Sequence, residues 1–133
     1  MEDKYINRYR TFCQSLTNLS RSCTADPAEP FVLEGTVQNF SLTFDIAWKV
    51  MKDILIKKME ILDFALGSPR ETLQTAFANG LIDDDRWLTM LRTRNALAHD
   101  YNGTIARQSF DEIIHVYYPL MDQFRQKASR YYT

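Results

Sequence analysis

Glycine and proline are scarce in this chain, four of each in 133 residues. So few breakers leave little room for the tight turns of a many-stranded sheet and point to long regular elements. Cysteine is scarcer still. Cys13 and Cys23 stand ten positions apart with no disulfide or metal-site spacing, which reads as two reduced thiols in a cytoplasmic protein. With only two histidines and no paired-cysteine motif, the sequence argues against a zinc site, and nothing in it calls for a cofactor. No apolar run reaches membrane length, and the opening Met1-Glu2-Asp3-Lys4 is charged at once, unlike a signal peptide. The expected location is the cytoplasm, with no membrane partner. Net charge is also lacking: at −1 the chain is no general polyanion binder, and a nucleic-acid partner would need a local basic patch. Residues 86–107 offer one, with Arg86, Arg92, Arg94 and Arg107 against the single acid Asp100, although Asp83-Asp84-Asp85 precede it.

What is present is helical periodicity. Tyr5, Tyr9, Phe12, Leu16 and Leu19 step by three or four over residues 4–23. After the breaker stretch Thr24–Pro30, the positions 37, 40, 44, 48, 51, 55 and 59 are Val, Phe, Phe, Trp, Met, Leu and Met, the stripe of a long amphipathic helix over about 31–60. Lys49, Lys52, Asp53, Lys57 and Lys58 fall mostly off that stripe. Ser68-Pro69-Arg70-Glu71 has the form of a capping box with proline at the first helical position, opening a short helix over 69–79 that Gly80 ends. The three aspartates favour a further helix start, and Trp87, Leu88, Leu91 and Leu97 line a helix over about 84–98. Asn102-Gly103 makes a turn. A last helix over about 104–131 turns Phe110, Ile113, Ile114, Tyr117, Leu120, Met121 and Phe124 inward, with a kink expected at Pro119. Four substantial helices and one short one predict an all-α, up-down four-helix bundle, a single domain over residues 1–133. Eight Phe, seven Tyr and two Trp are many for this size, and any surplus left on the surface favours a homodimer.

The chemistry concentrates in Arg94-Asn95-Ala96-Leu97-Ala98-His99-Asp100-Tyr101, an R-x4-H-x-Y arrangement at a helix end. Arginine is a permanent cation whose fork matches a phosphate, and histidine titrates near neutrality. Together they suit phosphodiester chemistry without a metal. Arg94 and Asn95 would hold a phosphate or RNA, and His99 would take a proton from a ribose 2′-hydroxyl. Five residues apart, Arg94 and His99 would lie about 140° apart around a regular helix. They converge only if the helix stops near Ala98, or if a second chain completes the site across a two-fold cleft. A bland account covers the same residues: His99 caps carbonyls, Arg94 pairs with a carboxylate, and Tyr101 packs past a helix end. Trp48 and Lys52, four apart, read as core and solvated face, and His115 as structural.

Several segments taken in order say more. Phe44-Asp45-Ile46-Ala47-Trp48-Lys49, Ser68-Pro69-Arg70-Glu71, Phe77-Ala78-Asn79-Gly80-Leu81-Ile82-Asp83-Asp84, Trp87-Leu88-Thr89-Met90-Leu91 and the Arg94–Tyr101 motif together resemble the nucleotidyltransferase substrate-binding protein family of the HEPN superfamily. The resemblance covers roughly residues 36–120 and is less clear over the first thirty. It implies a HEPN-like helical homodimer working with a minimal nucleotidyltransferase encoded nearby. In related toxin–antitoxin pairs the helical protein is a metal-independent RNase, silenced when the nucleotidyltransferase adds AMP to the motif tyrosine. Carried over, Arg94 and His99 match the catalytic pair, Asn95 the polar residue after the arginine, and Tyr101 the modified residue. The rival implication is a non-catalytic subunit that presents substrate, RNA or nucleotide, to the nucleotidyltransferase.

Overall fold

A computed structural model describes residues 3–61 and 67–132. Six α-helices run through it: α1 Lys4–Ser20, α2 Val32–Asp53, α3 Pro69–Ala78, α4 Arg86–Leu97, α5 Thr104–Glu112 and α6 Tyr118–Ser129. No strand occurs among the described residues, and the chain is an all-α bundle, as its periodicity predicts. The ends of the expected single domain, residues 1, 2 and 133, lie outside the described residues.

The local signals act where they stand in the sequence. Asp3 caps α1, its carboxylate accepting from the Tyr5 amide. Ser68 caps α3 by accepting from the Glu71 amide at 3.3 Å, with Pro69 at the first position. Gly80 takes φ +75°, and the amides of Gly80 and Leu81 donate to the carbonyls of Phe77 and Ala76 at 3.2 and 2.9 Å. That double closure is a Schellman motif, which a side chain at position 80 would strain.

α5 and α6 are one continuous helical run, joined by a π-turn over Ile113–Tyr117. The irregularity expected at Pro119 therefore sits in the turn before it. Proline has no N–H, and its ring would press on the carbonyl four residues back. A π-turn sets the ladder back by one residue, with the Tyr118 amide donating to Ile113, so the helix passes Pro119 without breaking. A second π-turn, Ile54–Lys58, closes α2.

The predicted stripes form the core. Phe12, Leu16 and Leu19 of α1 are buried, as are Phe40, Phe44, Trp48, Met51 and Leu55 of the α2 run. A chain of ring contacts ties four helical segments together: Phe12 to Phe124 at 5.7 Å, Phe124 edge-on to Trp87 at 6.0 Å, Trp87 to Phe44 at 6.3 Å, and Phe40 stacked on Tyr117 at 5.4 Å. Of the sixteen aromatics among the described residues, eight are buried and five half-buried. Phe31, Phe77 and Tyr101 are the large aromatics left exposed among the described residues.

α1 and α2 pack closely because small hydroxyl residues line the seam. Ser15 and Thr43 share a buried hydrogen bond, and Thr36 donates to Ser22 at 2.7 Å. At the other end of that seam, Asp53 accepts two bonds from Arg8 Nη1, at 2.7 and 2.9 Å, and is 5% exposed. Asp53 lies off the apolar stripe of α2. It is buried because α1 covers it, and its carboxyl titrates above the usual carboxylate range because burial outweighs the pull of Arg8. Cys13 is half-buried, Cys23 exposed, and both are free thiols.

Candidate functional site

α4 ends at Leu97, with Ala98 as its cap. The Leu97 end is what the R-x4-H spacing required, since the chain then leaves the helix before His99. The His99 and Asp100 amides still reach back to Ala96 and Leu97 at 3.1 and 3.3 Å, so the exit is tight. The next four residues form a braced turn. The Asp100 carboxylate accepts from the amides of Ile105 and Ala106 at 3.1 and 2.8 Å. The Asn102 side-chain oxygen accepts from the Thr104 amide and hydroxyl at 3.2 and 2.8 Å. Gly103 at φ +77° closes the turn. These bonds satisfy orphan amides at the N-terminus of α5, where a carboxylate is also favoured by the helix dipole. Tyr101 sits between the two bracing residues and is 93% exposed. It does not pack on the last helix. The turn holds it outward.

Arg94 faces α2. Its Nε and Nη2 donate to the two carboxylate oxygens of Asp45 at 2.9 and 2.8 Å, a side-on bidentate pair about two-thirds buried. The pair raises the arginine further into its charged form, through the Asp45 hydrogen bonds first. The carboxylate partner foreseen in the bland account of Arg94 is therefore real. It does not consume the guanidinium. Arginine has five N–H donors, and two bonds to Asp45 leave three, including both hydrogens of Nη1. Those can meet a phosphate oxygen while Asp45 holds the plane of the fork.

The Asp45–Arg94 pair bridges α2 and α4 and borders a hollow on either side. One, about 300 Å³, is lined by Trp48, Lys49, Pro69, Leu91 and Asn95 together with the pair. The other, about 340 Å³, is lined by Val37, Gln38, Ser41, Leu42, Leu97 and Ala98 together with the pair. Asn95 is exposed and Arg94 half-buried. His99 is exposed, lines neither hollow, and no hydrogen bond joins it to Arg94 among the described residues. One chain thus places Arg94, Asn95, His99 and Tyr101 at one end of α4 with no hydrogen bond between Arg94 and His99 among the described residues.

Of the four arginines in the basic stretch, Arg86 pairs with Asp84 at 2.8 Å and Arg94 with Asp45, while Arg92 and Arg107 are exposed and bonded to the hydroxyls of Thr89 and Thr104. Trp48 is buried, Lys52 half-buried, and His115 exposed on the π-turn. No group of three or more His, Cys, Asp or Glu side chains is arranged to hold a metal ion among the described residues. Among those residues, no helix is long and apolar enough to cross a membrane.

Asp45 is the residue that sequence reasoning did not single out. It carries a signal all the same: between Glu34 and Asp53 it is the one acid of α2, placed next to the apolar stripe rather than opposite it.

A family model described as nucleotidyltransferase substrate binding protein like matches residues 4–130. The chain belongs to that family. The match takes in the first helix, where the motif resemblance was thin. A crystal structure of a protein from Thermus thermophilus is similar at 27% identity with a TM-score of 0.76, covering 88% of this chain and 98% of that one. No curated protein matches in sequence.

Proposed function

We propose that this nucleotidyltransferase substrate-binding family member is the HEPN-type subunit of a two-component system, and that its Tyr101 is the group a minimal nucleotidyltransferase acts on. The observation that carries the reading is the 93% exposure of Tyr101 on a turn braced from both sides, two residues after an exposed histidine. A phenol that protrudes from a surface turn is within reach of a second enzyme. In the transfer, the phenol oxygen attacks the α-phosphorus of ATP, pyrophosphate leaves, and the phenolic proton passes to the nucleotidyltransferase or solvent.

The unmodified subunit then acts as a metal-independent RNase. His99 accepts the ribose 2′-proton as the 2′-oxygen attacks phosphorus, Arg94 and Asn95 hold the phosphate oxygens, and the 5′-oxygen departs with a proton, leaving a cyclic phosphate end. Because one chain does not join Arg94 to His99, the working site combines two copies of the 1–133 helical domain across a two-fold axis. The face carrying Leu42, Leu97 and Ala98 beside Arg94 suits that contact, since Leu42 is an exposed apolar residue next to the site. An adenylyl group on Tyr101 would add bulk and negative charge beside Arg94 and exclude RNA. A subunit that only presents substrate to the nucleotidyltransferase is favoured by one observation, that His99 lines neither hollow beside Arg94.

Purified protein is incubated with RNA in EDTA, before and after treatment with the nucleotidyltransferase and ATP. Expected results are cleavage in chelator, loss of cleavage in His99→Ala, and an adenylyl adduct on Tyr101 that is absent in Tyr101→Phe. Cleavage that needs metal, or that survives in His99→Ala, removes the RNase reading. A stable complex with no adduct assigns the subunit to substrate presentation.

A further inference from the structure

α3 and α4 leave a groove of about 210 Å³ on a part of the surface separate from the Arg94 hollows. The Schellman turn at Gly80 folds the chain back so that Ile82 lies against both helices. Leu73, Ile82 and Trp87 form a buried floor at 1%, 5% and 2% exposure. Phe77 stands over it at 48% exposure, and Leu88 closes the far side. A phenyl ring held half in water over an apolar floor gains free energy when a partner covers it, at roughly 25 cal/mol per Å² of apolar surface removed from solvent. The polar edge of the groove is acidic. Asp84 and Asp85 line it, and Asp83 lines the adjoining hollow together with Lys127, whose ammonium donates to the Gly80 carbonyl at 3.1 Å. Arg86 bonds Asp84, and no ion pair reaches Asp83 or Asp85 among the described residues.

From this we infer that the α3–α4 groove is the docking site for the nucleotidyltransferase, through a segment that inserts an apolar side chain over Phe77 and carries lysine or arginine against Asp83 and Asp85. The inference rests on the proposed pairing with a nucleotidyltransferase and adds where that enzyme holds on. Charge decides the occupant. A second copy would bring its own three aspartates to the same edge, whereas a basic-flanked segment meets opposite charge. Position fits as well: α4 rises about 1.5 Å per residue, so Leu88 is about 14 Å along the helix from Leu97, and one partner of domain size can cover the groove and still reach Tyr101. Docking away from the acceptor tyrosine lets the enzyme bind its target without depending on the reacting group.

The test uses the full chain and a purified minimal nucleotidyltransferase, the proposed partner. Phe77→Ser and the double reversal Asp83→Lys/Asp85→Lys are titrated against the enzyme, with circular dichroism to check folding and light scattering to record mass. Each variant is expected to weaken binding at least tenfold with its own mass unchanged, and to raise KM for Tyr101 adenylylation while leaving kcat near the parent value. Unchanged affinity in both variants overturns the groove as the docking site and leaves the proposed function standing. So does a fall in self-association, which would assign the groove to a contact between copies. If the parent chain does not bind the enzyme at all, the pairing itself fails and the docking site with it.

Discussion

Replacing Asp45 with alanine separates what the Asp45–Arg94 pair does for the fold from what it does for the site. The pair is bidentate, with its partners 30% and 34% exposed on their side chains. Exposed pairs contribute 0.2–1 kcal/mol and charge-assisted hydrogen bonds in drier surroundings rather more, so about 1 kcal/mol is lost. For a chain of this length that lowers Tm by about 4 °C. The functional effect should be larger. With both oxygens gone, the guanidinium is free to rotate away from the end of α4. A displacement of about 1 Å in a phosphate clamp is enough for a 10²-fold loss of rate. Asp45→Ala is therefore expected to cut RNA 10- to 100-fold more slowly than the parent. Asp45→Asn, which keeps one acceptor, should fall between, and Arg94→Ala should abolish cleavage. The assay is initial-rate cleavage in EDTA, run beside thermal denaturation of the same samples. If Asp45→Ala loses the expected stability but cleaves as fast as the parent, the carboxylate orients nothing and the pair is structural. If it cleaves faster, Asp45 competes with phosphate for Arg94, and the positioning argument is refuted.

Arg8→Ala strands the nearly buried Asp53 carboxylate and should cost about 2–3 kcal/mol, less than a fully buried pair because Arg8 is itself partly exposed. The Asp53 carboxyl is raised, so the folded state holds its proton more firmly than the unfolded state does. The deficit of Arg8→Ala should therefore shrink as pH falls through the carboxylate range, which urea midpoints at neutral and mildly acid pH will record. At the alkaline end, burial pushes the Tyr9 phenol from 10.0 up to about 12, and Tyr132, stacked on it at 4.3 Å, is shifted the same way. The unfolded chain loses these protons first, so stability present below pH 10 should decline as pH rises toward 12. Phenolate absorbance that climbs fully while helical circular dichroism is retained would contradict it.

Most of the fold was legible along the chain because its determinants are local. The three-and-four stepping of Phe40, Phe44, Trp48, Met51 and Leu55 marks the buried face of α2, since a helix turns a fixed angle per residue. Ser68 and Gly80 mark both ends of α3, because a cap satisfies amides or carbonyls within a few residues of itself. The R-x4-H-x-Y motif likewise announced a helix ending near Ala98 and a tyrosine just beyond it. Other features depended on neighbours distant in sequence. Nothing near Asp53 says that α1 will lie over it, and nothing near Arg94 says that a carboxylate 49 positions earlier will take two of its five hydrogens. The place of the irregularity in the last helix also escaped local reading. Proline forbids one hydrogen bond, but the ladder can shift on either side of it, and here the π-turn falls over Ile113–Tyr117, in the turn before Pro119. The groove beside Phe77 likewise exists only once Ile82 has folded back against α3 and α4. Sequence sets which residues want to be buried, capped or charged; long-range packing decides which of them meet, because contact between distant segments depends on how whole helices cross and not on the spacing within any one of them.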